Sequence, residues 1–240
     1  MKILFAILIV IICLVLAYYL IPIIRAVYAS KQVIADAKPF TQFNAEAKFH
    51  MLIVGDSTAF GTGAKKSKDS IAGRFAKDYP DSEIINLSEN GLKTRGLREK
   101  LEKHLQKKTY DYIHIQIGAN DIISFTKYGD LEQDLVAVLD LATQKSDYVT
   151  ILTVADMGES KLFKFPLSKI ITERTLVVRD IFKETAKEYK KVNYVDLYAN
   201  QEMRKMFNEN PEKYYAADMF HPNGRAYGEW YDAITEVINK

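Results

Sequence analysis

Five short apolar runs, each followed by a longer stretch of helical period, constrain this chain more than any other feature. The runs are "HMLIV" (50–54), "EIINL" (83–87), "DYIHIQI" (111–117), "YVTILTV" (148–154) and "VNYVDL" (192–197). Their length and β-branched content are those of buried strands. Helical period runs over 68–78, 94–107, 130–145 and 168–190. In the second of these, Leu97, Leu101 and Leu105 fall on one face and the charges on the other. A last helix is expected over 222–238, with Pro222 near its first turn. Strands alternating with helices close as right-handed βαβ units, so the expectation is a parallel sheet covered on both faces, in one domain over 49–240.

Open parallel sheets bind ligands beyond the carboxyl ends of their strands, so the residues just past each run carry the argument. The first run leads into "MLIVGDSTAFGTGA" (51–64). A phosphate-cradling loop needs Gly-x-x-x-x-Gly-Lys-Ser/Thr, and here Ala64 follows the last glycine. A dinucleotide fingerprint fails as well, because "GTGAKK" lacks the third glycine. Two readings stay open, a flexible turn after a strand and a serine, Ser57, held at the strand end as a nucleophile, and the partners of that serine decide between them. Such a serine needs a general base, a carboxylate to orient the base, and donors for the oxyanion.

Of the four histidines, His50 and His114 lie within strands and His104 within an amphipathic helix, which leaves His221 at a loop-to-helix junction. Asp218 stands three residues earlier, within reach of the imidazole Nδ1 if the chain turns back in one tight loop; Nε2 then faces the serine. Asn120, in "QIGANDI" (116–122), can offer a side-chain amide at the end of the third run. Gly91, in "NLSENGLKTRG" (86–96), can bring its backbone N–H close to a substrate oxygen because it has no Cβ. Asp56 and Asp121 sit beside Ser57 and Asn120 and are expected to bond backbone amides or orient those neighbours.

"GDST", Gly91, "GAND" and "DMFH", in that order, resemble the four blocks of the SGNH hydrolases, the GDSL-type esterases and lipases. The resemblance covers about residues 49–240. It implies a three-layer, flavodoxin-like α/β/α sandwich on a five-stranded parallel sheet, with Ser57 as nucleophile and His221 and Asp218 as base and orienting acid. It also implies that the Ser57 amide, Gly91 and Asn120 form the oxyanion hole. Thr58 stands where leucine is frequent in the family, and "SENGLKT" fits its block more loosely than the others fit theirs. The Gly-x-Ser-x-Gly elbow of the α/β-hydrolases is absent, since Ala59 occupies its second glycine position.

Residues 3–24 contain no charged residue, and about 20 apolar residues suffice to cross a bilayer core. A cleaved export signal also begins with a lysine and an apolar core, and "VYAS" (27–30) loosely resembles a cleavage site. The run is longer than a usual signal core, and a helix apolar on every side fits a folded core poorly. The expected organisation is therefore a transmembrane anchor over 1–25, a stalk over 26–48 and the hydrolase domain over 49–240. Arg25, Lys31 and Lys38 outnumber Lys2, a count that places the body inside. The likeness of the segment to an export signal places it outside, and an extracytoplasmic body is the expectation, checked by protease accessibility on intact cells.

A net charge of +2 excludes a general nucleic-acid partner, and "KKSK" (65–68) and "KHLQKK" (103–108) read as solvated faces. The one cysteine, Cys13, lies in the apolar run, so the body has no disulfide framework and no thiol nucleophile. No His/Asp cluster has ligand spacing, and neither metal nor cofactor is expected. The expected substrate is a small-molecule or lipid ester; removal of O-acetyl groups from envelope polysaccharide and a non-catalytic ligand-binding module are the alternatives. Met157, Leu162, Phe163, Phe165 and Leu167, after the fourth run, are open to two roles, an acyl-binding lining or packing on the sheet.

Overall fold

The structure, a computed structural model, describes residues 2–105, 108–153 and 155–238. The ends of the expected second helix (106–107) and fourth strand (154), the first residue of the expected anchor and the last two of the expected domain lie outside the described residues. Five strands, β1 (His50–Gly55), β2 (Glu83–Asn86), β3 (Tyr112–Gln116), β4 (Val149–Leu152) and β5 (Val192–Val195), form a parallel sheet in the order β2-β1-β3-β4-β5. This is the flavodoxin-like order, whose switch point lies between β1 and β3. The helices, in chain order, are α1 (Lys2–Asp36), α2 (Ser57–Phe60), α3 (Ile71–Asp78), α4 (Thr94–His104), α5 (Ala119–Ile123), α6 (Tyr128–Thr143), α7 (Leu167–Lys187), α8 (Gln201–Glu209), α9 (Pro211–Tyr214) and α10 (Gly224–Ile238).

Each sheet face has its own core. On one side Leu97 and Leu101 of α4, Leu131, Leu135 and Val138 of α6, and Val178 and Phe182 of α7 pack against Leu52, Ile113 and Ile115. On the other, Phe75 of α3, Met203 and Phe207 of α8, and Tyr227, Trp230 and Ile234 of α10 cover Met51, Ile53 and Tyr112. Fully burying one such aliphatic or aromatic side chain stabilises by roughly 1.5–3 kcal/mol, and the two sets together fix the sheet edge on which the site is built.

The structure departs from the sequence expectations in three places. The last helix starts at Gly224 rather than at 222. Pro222 is paired with Tyr215 in an antiparallel bridge, and Asn223 Oδ1 accepts the amides of Arg225 and Ala226, so Asn223 caps the helix. Helix α8, like the one-turn helices α2, α5 and α9, has no counterpart among the expected elements. Asn200 Oδ1 caps it through the Met203 amide, and Met203 and Phe207, one turn apart, bury its inner face. Helix α1 is unbroken through Asp36. Its half-buried and buried positions Tyr19, Pro22, Ile23, Ala26, Ser30 and Val33 recur at helical spacing and turn toward the body. Beyond it, Gln42 bridges to Ile84 and bonds the carbonyls of Tyr79, Pro80 and Ser82, which covers the free edge of β2.

Candidate active site

β1 is buried along nearly its whole length and ends at Gly55, where a Cβ would stand 1.8 Å from the Gln116 carbonyl oxygen of β3. Only glycine permits that approach, and the chain turns at once into α2. Asp56 caps this turn: its Oδ1 accepts the Thr58 amide at 2.9 Å and the Thr58 hydroxyl at 2.6 Å. Ser57 is thereby held at the start of α2, 7% exposed, at the carboxyl edge of the sheet. Gly61 ends the turn at φ +89°, its amide donating to the Ser57 and Thr58 carbonyls.

The loop carrying Asp218 and His221 meets this turn from the far end of the chain. Its ends are tied by the Ala216 amide to the His221 carbonyl (2.8 Å) and the Asn223 amide to the Tyr214 carbonyl (2.9 Å). Within it Asp218 Oδ1 accepts the amides of Phe220 (3.1 Å) and His221 (3.0 Å). His221 Nδ1 lies 2.6 Å from Asp218 Oδ2 and His221 Nε2 lies 3.2 Å from Ser57 Oγ. Gly63, at φ +96°, lets the two pieces close: a Cβ there would come within 2.2 Å of the Pro222 carbonyl oxygen and 3.2 Å of His221 Cβ. The two glycines after Ser57 thus have separate uses, one a left-handed cap and one a contact surface for the histidine loop.

Burial raises the Asp218 pKa, but the His221 side chain, through its hydrogen bond and charge, and the amides of His221 and Phe220 outweigh it and hold the group below the ordinary aspartate range. Asp56 goes the other way. Fully buried, it is pushed up to about 6 by desolvation, against the Thr58 hydroxyl and amide, the His221 charge and the Ala119 amide, which lower it.

A carboxyl whose folded pKa is raised binds its proton more tightly when folded, so Asp56 costs stability as pH rises from about 4 through 6. The cost reaches on the order of 3 kcal/mol above that window. Asp56→Asn keeps an oxygen acceptor for Thr58 and removes the titration. Its urea midpoint should therefore fall less than the wild type's between pH 4 and pH 7; equal falls would show that Asp56 does not carry this cost.

Asn120, at the end of β3, lines the same pocket as Ser57, and its Nδ2 donates to the Leu92 carbonyl at 3.0 Å. Gly91 occupies the turn after β2 at φ +79°. It is bracketed by Leu92 and by Asn90, whose Oδ1 accepts the Thr62 hydroxyl at 2.6 Å. Asp121 is buried, and its Oδ2 accepts the Thr94 amide and hydroxyl at the start of α4. The pocket, of about 60 Å³, is lined on its apolar side by Phe207, Tyr215, Phe220 and Trp230. Met157 lines it, while Phe163 and Leu167 pack on the core and Phe165 is exposed. Among the described residues no group of three or more His, Cys, Asp or Glu side chains forms a metal-ligand set.

The remaining histidines are engaged elsewhere. His114 is fully buried, bonded to Thr150 Oγ1 at 2.8 Å and driven by burial to a pKa of about 4; His104 pairs with the Tyr110 hydroxyl, and His50 with Asp111. Two residues at the site have no signal in their local sequence. Ser30 of α1 donates its hydroxyl to Asp218 Oδ2 at 2.8 Å across 188 positions of chain. Arg174 of α7, buried, donates to the carbonyls of Asp121, Ile122 and Thr126 and so fixes the turn that follows Asn120.

Fold and site together define an α/β/α protein with a hydroxyl–imidazole–carboxylate chain at the switch point of its sheet. The chain belongs to the GDSL-like lipase/acylhydrolase family, whose model matches residues 53–228, and it is a carboxylic ester hydrolase. The GDSL-like esterase Rv1075c of Mycobacterium tuberculosis is 26% identical over 217 residues, 84% of this chain and 68% of that protein. Among solved structures, a lipolytic protein of the G-D-S-L family from Veillonella parvula superposes with TM-score 0.62 at 18% identity, over 80% of this chain and 99% of that one. TesA does so with TM-score 0.61 at 18% identity (79% and 97%), and the acetylxylan esterase Axe2 of Geobacillus stearothermophilus with 0.55 at 20% (82% and 97%). These structures share the fold.

Proposed function

We propose that this protein is a membrane-anchored serine esterase that works through an acyl-enzyme. Ser57 Oγ attacks the ester carbonyl while His221 Nε2 takes its proton; the tetrahedral intermediate collapses as His221 returns that proton to the leaving alcohol. Water, deprotonated by the same nitrogen, then releases the acid and restores Ser57. Asp218 holds the imidazole in the tautomer this sequence needs. The observation that carries the reading is the unbroken chain from Ser57 Oγ through His221 to Asp218, at 3.2 and 2.6 Å. Labelling by a fluorophosphonate probe, mapped to Ser57 by mass spectrometry, tests it and separates an esterase from a non-catalytic module on the same fold.

The Ser57 amide, the Gly91 amide and Asn120 Nδ2 are the oxyanion donors in this reading. One N–H of Asn120 is spent on the Leu92 carbonyl, which orients the amide and leaves its second N–H for substrate. Asn120→Ala is expected to lower kcat by about 10²–10³ with KM little changed, because the bond strengthens only as charge develops on the oxygen. A kcat within a factor of about two of wild type, far inside that range, would remove Asn120 from the hole.

The anchor is assigned to 1–25 and the hydrolase domain to 49–240, with the body on the extracytoplasmic side; the stalk assigned to 26–48 begins as the continuation of α1 through Asp36 and lies against the body at Ser30. Support for the anchor comes from a helix long and apolar enough to span a bilayer, none of whose most apolar stretch is buried. The pocket favours a short acyl group, the O-deacetylase alternative. At about 60 Å³ it is well under half the roughly 150 Å³ of a cavity that takes benzene. A screen of acyl chain lengths beside acetylated sugars decides between this and a long-chain lipid ester.

A further inference from the structure

We propose that the segment over 161–170, the loop before α7 with the first turn of that helix, is a second membrane contact, docked in the headgroup zone of the bilayer that holds α1, and that it brings the pocket wall to the membrane surface. This rests on the anchored reading above. The Tyr19 hydroxyl donates to the Phe165 carbonyl at 2.7 Å, so the loop is fastened to the helix at that level. Tyr19 lies five residues before Ile24, the end of the uncharged run, which at 1.5 Å per residue is about 7 Å on the membrane side of that end. A loop tied there cannot stand clear of the interface.

Its composition suits the place. Phe165 is 71% exposed and Ile170 is also exposed, so the segment carries apolar side chains free to enter the interface. Tyr18 and Tyr19 pack edge to face beside the loop, as interfacial aromatics do. Lys161 and Lys164 are interspersed with Phe163 and Phe165, and Arg25 and Lys31 follow the apolar run on α1, a basic set matched to anionic headgroups. The neighbouring carboxylates are already engaged, Glu159 by Arg204 and Glu173 by Lys169. On the other side the loop begins at the pocket, since Met157 and Ser160 line it. Ser30, bonded to Asp218, stands six residues beyond Ile24, about 9 Å above the run's end along the axis. An ester presented at the bilayer surface therefore reaches Ser57 without leaving the interface.

Cys13, the single cysteine, supplies the internal control. The full-length chain would be labelled with an environment-sensitive fluorophore at Cys13, or at position 165 or 147 in the variants Cys13→Ser/Phe165→Cys and Cys13→Ser/Asp147→Cys. It would then be reconstituted in phosphatidylcholine–phosphatidylglycerol vesicles containing a spin-labelled quencher lipid. Asp147, 93% exposed, precedes β4 at the opposite edge of the sheet. Expected is a loss of emission at position 165 approaching that at Cys13, with none at 147. Quenching at Cys13 without quenching at 165 would overturn the loop contact and leave the anchor standing. No quenching at Cys13 would remove the anchor and the proposal with it, while fluorophosphonate labelling of Ser57 would still report on the esterase chemistry.

Discussion

Ser57→Ala is expected to lower kcat toward p-nitrophenyl acetate by about 10⁴–10⁶ and to abolish fluorophosphonate labelling, with the fold intact. The loss is large because the mutation deletes the atom to which the acyl group transfers, so the two-step route closes and His221 is left with no proton to take. It is not total. A site that still binds the ester and still aims amide donors at its carbonyl oxygen retains roughly 10³–10⁴ of acceleration over water. Stability should change little, since the Ser57 side chain contributes only the 3.2 Å bond to His221 Nε2, and Asp56 goes on capping the turn through Thr58. Both measurements are needed together: a thermal midpoint close to wild type with the activity gone identifies a chemical role, and a wild-type rate would end the proposal.

The sheet and the core of this site were legible because they are written in local pattern. A buried parallel strand reads as a short β-branched run, and a residue just past such a run lies at the edge where ligands bind, so Ser57 and Asn120 could be placed before any coordinates. Asp218 and His221 were legible because both sit in one tight loop. Ser30 was not, since nothing in "VYASKQ" points to a bond with the site and its partner lies 188 positions away. The stripe of Tyr19, Ile23, Ala26, Ser30 and Val33 has a helical period, but its alanine and serine carry too little apolar contrast to announce a docked face. Arg174 escaped for a related reason: on α7 it reads as one of many surface charges, and its burial comes from the carbonyls of the turn after Asn120. Helix α8 is short and charged, with Met203, Met206 and Phe207 as its strong apolar marks. Long-range polar pairing and short capped helices are set by tertiary contact, which periodicity does not encode.

Asp218→Asn is expected to lower kcat by about 10⁴ in a protein that still folds. The argument runs through the four hydrogen bonds on this side chain. Oδ1 accepts two backbone amides, from Phe220 and His221, and an asparagine must leave its oxygen there, since an NH₂ facing two amides would be unpaired. Its NH₂ then falls where Oδ2 was, 2.6 Å from His221 Nδ1 and 2.8 Å from Ser30 Oγ. It donates to Nδ1, the ring proton moves to Nε2, and Nε2 can no longer accept the proton of Ser57. Ser30→Ala removes one donor to the carboxylate but leaves the tautomer correct. A hydrogen bond to a charged group is worth about 1.5–3 kcal/mol, so kcat should fall by about 10–100-fold with KM held, and Ser30→Thr should restore it. A loss confined to thermal stability, with kcat unchanged, would make Ser30 a packing contact only. An Asp218→Asn enzyme within about tenfold of wild type, against the 10⁴ expected, would mean that something other than this carboxylate sets the imidazole.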